Sequence, residues 1–250
     1  MRVVKITIFF LCCLFFSQLQ AVVKGSETAI SVEPYFTFPA VDSDNTLATF
    51  GYFKSGFGLQ DATTSCTVKT IYPISGPVNL HGGTIYLDND LQLKNDAALI
   101  SMGSVYGNNN VFDLSANVTG WANPYPSSIH DLHTLLHSDF ILSGTINIHG
   151  NCSINGHWNS LILNDDVNVL IHPGSSLHLR NLEIDGISGS KIRCVNDSAQ
   201  LLLDNVRWVQ DDNFSFTRGS ILFNNEVNFV GPYLFNYDSA LTSTIAADSR

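Results

Sequence analysis

Apolar and polar residues alternate over short stretches along much of this chain, and the alternation repeatedly ends on asparagine. LHLRN (177–181), LLLDN (201–205) and ILFNN (221–225) share the pattern apolar-x-apolar-x-Asn, with Asn181, Asn205 and Asn225 spaced 24 and then 20 residues apart. IYLDN (85–89) and LQLKN (91–95) carry the same signature. Alternation at period two places Leu177 and Leu179, Leu201 and Leu203, and Ile221 and Phe223 on one face of short strands. A recurring unit of 20–24 residues that holds strands and turns but no helical period predicts the coils of a solenoid.

A longer echo fits the same scheme. SGPVNLHGG (75–83) returns as SGTINIHGN (143–151), sixty-eight residues later, which is about three coils. The two copies are therefore expected to lie one above the other, three layers apart. A single coil is too small to bury its inward residues, whereas stacked coils share a continuous core and align like side chains in columns. A buried amide without a partner costs about 1–3 kcal/mol, but amides piled at one turn can donate and accept along the pile. Asn181, Asn205 and Asn225 are expected to form such a ladder. Composition agrees: 23 residues are Asn and only four are Glu, which favours strands and turns over helices. The fold class read from the sequence is all-β.

The run LHLRNLEIDGISGSKIRCVNDSAQLLLDNVRW (177–208) resembles the right-handed parallel β-helix of the pectin-lyase-like superfamily. It is also similar to the passenger regions of secreted autotransporter and polymorphic outer-membrane proteins. The resemblance covers roughly residues 74–248 and implies a right-handed parallel β-helix with coils of about 20–24 residues and an N-terminal cap. Residues 1–21 read as a secretory signal: Arg2 and Lys5 precede the apolar run 6–16, which is too short to span a bilayer, and Ala21 offers a cleavage site. Residues 22–73 are expected to form the cap and first irregular strands. Residues 74–250 are expected to form the β-helix, truncated at its C-terminal end, with a loop or short-helix insertion at about 121–139.

Without Arg2 and Lys5, ten basic residues face 22 acidic ones. That balance argues against a nucleic-acid partner, since phosphate binding relies on Lys and Arg displacing counterions. No second long apolar run is present to anchor the mature chain as a helix. Cys66, Cys152 and Cys194 are too few and too widely spaced for a disulfide framework. One bridge among them is open, and inward-facing thiols are the simpler expectation.

Two clusters carry candidate chemistry. Arg207, Trp208, Asp211 and Asp212 follow a strand and would combine a cation, a stacking aromatic and two carboxylates on one exposed face, as glycan chemistry requires. Asp165–Asp166 is a second acidic pair. His130, His133 and His137 would share one face of a short helix over 127–137 and are weak metal candidates. The motifs of polygalacturonases and of Arg-based lyases are absent, and no cofactor is implied. The expected function is therefore a secreted or surface-displayed, non-enzymatic β-helix, adhesin-like or structural, engaging surface glycans or host cell-surface proteins. The alternatives are a glycan-active β-helix enzyme, a lyase or glycoside hydrolase, and an inactive fragment of a longer surface protein. Self-association through exposed coil edges is a further expectation.

Overall fold

The repeating strands stack in parallel, coil upon coil, in a β-solenoid of about six turns. The computed structural model describes residues 65–68, 72–74, 77–79, 84–93, 98–100, 103–114 and 126–246. The leader at 1–21 and most of the expected cap at 22–73 lie outside the described residues. All regular structure among the described residues is β, and none of it is a helix long and apolar enough to cross a membrane.

One wall of the solenoid is a seven-stranded sheet in which Ser65–Val68, Thr84–Leu87, Ser104–Tyr106, Ser128–His130, Thr145–His149, Asn168–Ile171 and Ile192–Cys194 follow one another in order. A second wall runs through Tyr72–Ile74, Leu91–Leu93, Val111–Leu114, His133–Leu136 and Asn151–Asn155 into the long strands Ser176–Gly189, Gln200–Phe216 and Ser220–Val230. The later halves of these long strands turn onto a third wall, where Ser160 pairs with Glu183 and Phe214 with Phe235. Every strand pairing among the described residues is parallel, with Ser128 opposite Asn147, Thr145 opposite Asn168 and Ser176 opposite Gln200. The coil length thus changes from layer to layer as the turns lengthen and shorten.

The apolar-x-apolar-x-Asn units at 177–181, 201–205 and 221–225 lie in register. Leu177 and Leu179 sit beneath Leu201 and Leu203, which sit beneath Ile221 and Phe223. All but Phe223 are buried in one continuous apolar core. The interior around Ile146, Leu161, Leu177 and Ile184 leaves a void of only about 10 Å³, too small and too apolar to hold a bound water.

The asparagines mark the corner between the second and third walls. Asn181, Asn205 and Asn225 have φ of 49°, 54° and 54°, the left-handed region that Asn tolerates better than most residues because its short amide can bond locally. The amides connect the coils: Asn205 Nδ2 donates to Asn181 Oδ1 at 3.1 Å, and Asn181 Nδ2 donates to Asn155 Oδ1 at 3.4 Å. The pile thus begins one coil earlier than Asn181. It changes partners at Asn225, because the strand Ser220–Val230 carries one extra residue at this corner, so that Asp204 faces Asn224 but Val206 faces Val227. Asn225 therefore donates to Asp204 Oδ1, and Asn205 Oδ1 accepts the Glu226 N–H instead.

Two expectations require correction. The SG-containing echoes do not stack: among the described residues Pro77–Asn79 pairs with Ala98–Ile100 in a separate two-stranded sheet, whereas Thr145–His149 belongs to the first wall. The described part of the expected loop or helix insertion at 121–139 is also a regular section of coil, with Ser128–His130 and His133–Leu136 as strands of the first and second walls. Between them Asp131, at φ 46°, makes the corner in two residues, which brought Ile129, Leu132 and Leu136 to a spacing that mimics a helical period.

Replacing Asn205 with Leu should cost about 2 kcal/mol or more, from left-handed strain together with the lost amide bonds. Asn205→Gly, which keeps the backbone conformation, should cost less. Thermal melts of the two variants check this. An Asn205→Leu melt equal to the parent's would refute the ladder.

Candidate functional site

On the outer face of the first wall, strand register lines up five rings. Tyr86 stacks on Tyr106 at a centroid separation of 4.9 Å, Tyr106 on His130 at 4.1 Å, His130 on His149 at 4.4 Å and His149 on His172 at 4.2 Å. Parallel strands repeat at about 4.8 Å, so flat rings at one outward position meet face to face. Neighbours hold the imidazoles: His130 Nε2 lies 3.1 Å from Ser128 Oγ, and His172 Nε2 lies 2.9 Å from Asn147 Oδ1. Burial lowers the His130 pKa, against the raising effect of the Asp131 carboxylate, with His172 adding to the fall. Burial likewise lowers that of His149, followed by its two imidazole neighbours His172 and His130. Because the rings are parallel, their nitrogen lone pairs point side by side and do not converge on one ion, and no metal-binding group of three ligands occurs among the described residues.

The second wall carries a groove of about 420 Å³ lined in part by His133, Leu135, Ser153, His178, Arg180 and Leu202. His133 Nδ1 lies 2.9 Å from Ser153 Oγ, the spacing of a base and a nucleophile. The surrounding N–H groups are already consumed, however: that of Ser153 donates to Leu132 O and that of His133 to Asn110 O. Neither is left to receive an oxyanion. His178 Nε2 lies 3.5 Å from Asp204 Oδ2, too far for a good hydrogen bond, and is buried without another partner among the described residues. The Arg180 Nε is likewise buried and unbonded. Burial lowers the His178 pKa, more than the adjacent Asp204 raises it.

The cluster Arg207, Trp208, Asp211 and Asp212 is not one surface. Alternation resumes after the Asn205 corner, so Val206 and Trp208 point inward and Arg207 points out. Trp208 is 0% exposed and packs edge-on against Phe214 at 5.1 Å and Phe235 at 6.0 Å. It is a core residue and offers no stacking face to a ligand, correcting the reading from sequence. Arg207 is engaged by Glu183 in the coil below. Asp211 and Asp212 are exposed, and Asp212 Oδ1 accepts the Asn213 N–H.

Other carboxylates hold turns between coils. Asp166 Oδ2 accepts the Gly144 N–H at 3.0 Å, Asp131 Oδ1 the Asn151 N–H at 2.8 Å, and Asp139 Oδ1 the Ser160 N–H at 2.8 Å. Gly150 suits its left-handed φ of 68°, and a Cβ there would displace the Asp131 carboxylate, whose Oδ1 would lie 2.1 Å away. These three carboxylates are accordingly turn chemistry.

The histidine trio separates as well. His130 stands in the ring column, His133 lines the groove, and His137 Nε2 pairs with Asp113 Oδ1 at 2.8 Å. The shared helix face that a metal site would have needed does not exist. Cys152 and Cys194 are buried free thiols whose pKa values burial pushes up to about 11 and about 12. They are neither bridged nor poised to react.

One aromatic that sequence reasoning passed over is prominent. Trp158 is 74% exposed with φ of 71°, and its N–H donates to Asn181 O at 2.6 Å. A bulky residue in the left-handed region is rare and costly. The preceding His157 is also left-handed, at 47°, and sits edge-on to His137 at 5.4 Å. The signal in the sequence was the unalternating INGHWN, which interrupts the strand pattern at the same corner that Asn181 marks one coil later.

No family model, curated protein or solved structure matches the chain.

Trp208→Ala should destabilise the fold by about 3–5 kcal/mol, seen as a marked drop in melting temperature. An unchanged melt would return Trp208 to the surface. The ring column predicts a pH dependence. His130 and His149 have folded pKa values below the unfolded value near 6.5, so the unfolded chain takes up protons first and stability falls as pH drops through that value, levelling off below the folded pKa values. His149→Tyr should preserve stacking and flatten part of this slope in melts between pH 7.5 and 5. An unaltered slope would contradict it.

Proposed function

We propose that this chain is an exported, surface-displayed β-helix of the pectin-lyase-like kind, resembling autotransporter passenger regions, and that it serves as a non-enzymatic adhesin-like or structural module. The observation that carries the reading is Trp158, a large aromatic held exposed at energetic cost on an otherwise rigid stack. Large exposed aromatics anchor contacts with proteins and glycans, and a stack of parallel coils fixes such an anchor in place. Of the charged groups that could have formed a catalytic cluster, Arg207 is engaged by Glu183 and Asp212 by the Asn213 N–H, while Asp211 stands exposed, which supports a binding or scaffolding role over hydrolysis or elimination. Surface glycans and cell-surface proteins are the partner classes that suit an exposed Trp.

Trp158→Gly relieves the left-handed strain, so the melting temperature should hold or rise while binding to glycan arrays or to cell surfaces falls by about tenfold or more. Binding unaffected by the substitution would refute the anchor. In parallel, the protein should release no unsaturated sugars or reducing ends from uronate and neutral polysaccharides, with or without calcium. Turnover abolished by Asp211→Asn and Asp212→Asn would make the protein an enzyme.

A further inference from the structure

Arg180 is an unusual residue in this stack. Its neighbours on the outer face of the second wall are Asn155 in the coil below and Asp204 in the coil above. Asp204 is directed elsewhere, with Oδ2 toward His178 and Oδ1 accepting the Asn225 amide. Among the described residues no carboxylate lies within ion-pair distance of the Arg180 guanidinium, whereas Arg207 and Lys191 have acidic partners, and Arg193 and Arg218, which also have none, are exposed. The Arg180 Nε is buried, and so is the unbonded Nε2 of His178 beside it. Buried donors in native proteins nearly always have partners, and the Arg180 Nε can only donate, so this atom on the wall of the groove calls for an acceptor from outside the described chain.

The groove limits what that acceptor can be. Its volume of about 420 Å³ falls within the range of small-molecule sites. Leu135 and Leu202 contribute apolar wall, and Ser153 and His133 are already bonded to each other. A guanidinium presents a planar fork that matches two carboxylate oxygens. With one fixed positive charge and the Asp204 carboxylate close by, a monoanion suits the site better than a dianion.

We propose that this groove binds a small organic carboxylate, with its two oxygens on the Arg180 guanidinium and its apolar body against Leu135 and Leu202. This is independent of the Trp158 anchor, which lies at the corner and does not line the groove.

The test titrates the full chain, at constant ionic strength, with hexanoate, acetate, hexanol and inorganic phosphate, followed by calorimetry and by methyl chemical shifts. Hexanoate should bind saturably and shift the Leu135 and Leu202 methyls. Acetate should bind about tenfold more weakly or worse, and hexanol and phosphate more weakly than hexanoate. Arg180→Gln should lower hexanoate affinity by about tenfold or more, Arg180→Lys should lower it less, and Arg207→Gln should leave it unchanged. The methyl shifts locate the site in the unaltered protein should the Arg180 variants fold poorly. Absence of saturable hexanoate binding, shifts confined to other residues, phosphate binding more tightly than hexanoate, or full affinity in a folded Arg180→Gln variant would each overturn the proposal.

Discussion

The structure depends on the corner at which Asn181 and Asn205 turn the chain in the left-handed conformation and join their amides from coil to coil. A parallel stack must keep each coil in register with the next, because a slip of one residue would turn every inward side chain outward. The corner meets this demand in two ways. The positive φ fixes where the chain bends, and the amide bond holds that bend above the equivalent bend below. The bulge at Asn225 shows how tightly the two are coupled: one extra residue in the last long strand moves its amide from Asn205 to Asp204.

Once the coils are in register, side chains at equivalent positions are brought to strand spacing whatever their type. Leucines and isoleucines form the core, rings form the column from Tyr86 to His172, and carboxylates meet the free N–H groups of turns in neighbouring coils. Groups that suggest chemistry in the linear sequence, such as Asp166 or Arg207, are thereby satisfied by a neighbour about 20 residues away. The residues left with capacity to act are those the columns do not complete. Trp158 projects from a corner where the strand pattern breaks, and Arg180 faces a column whose next carboxylate is already taken. Both proposed binding positions therefore lie where the regular stack is interrupted or left incomplete.

The core was legible in the sequence because period-two alternation and a repeated asparagine are local signals. Leu177, Leu201 and Ile221 could be aligned by eye. The ring column was not, since its members are separated by coils of unequal length, and only the register shows that Tyr106, His130 and His149 occupy one position. The stretch 127–137 read as a helix because a two-residue corner at Asp131 set apolar residues three and four apart, a spacing shared by strand–corner–strand and helix. Trp208 was within reach: counting onward from the Asn205 corner in step with Leu182 and Ile184 places it inside. Arg180 and Asp204 hold the same position in LHLRN and LLLDN, but the competing claims of His178 and Asn225 on that carboxylate appear only in three dimensions.

The most direct test of the account is nuclear magnetic resonance of the side-chain amides of Asn181 and Asn205 in the folded chain. Continuous bonding along the corner predicts a through-space contact between the two amide groups, with proton exchange far slower than that of the exposed Asn108. Exchange as fast as that of Asn108, with no contact between the two, would mean that the corner does not hold the coils in register.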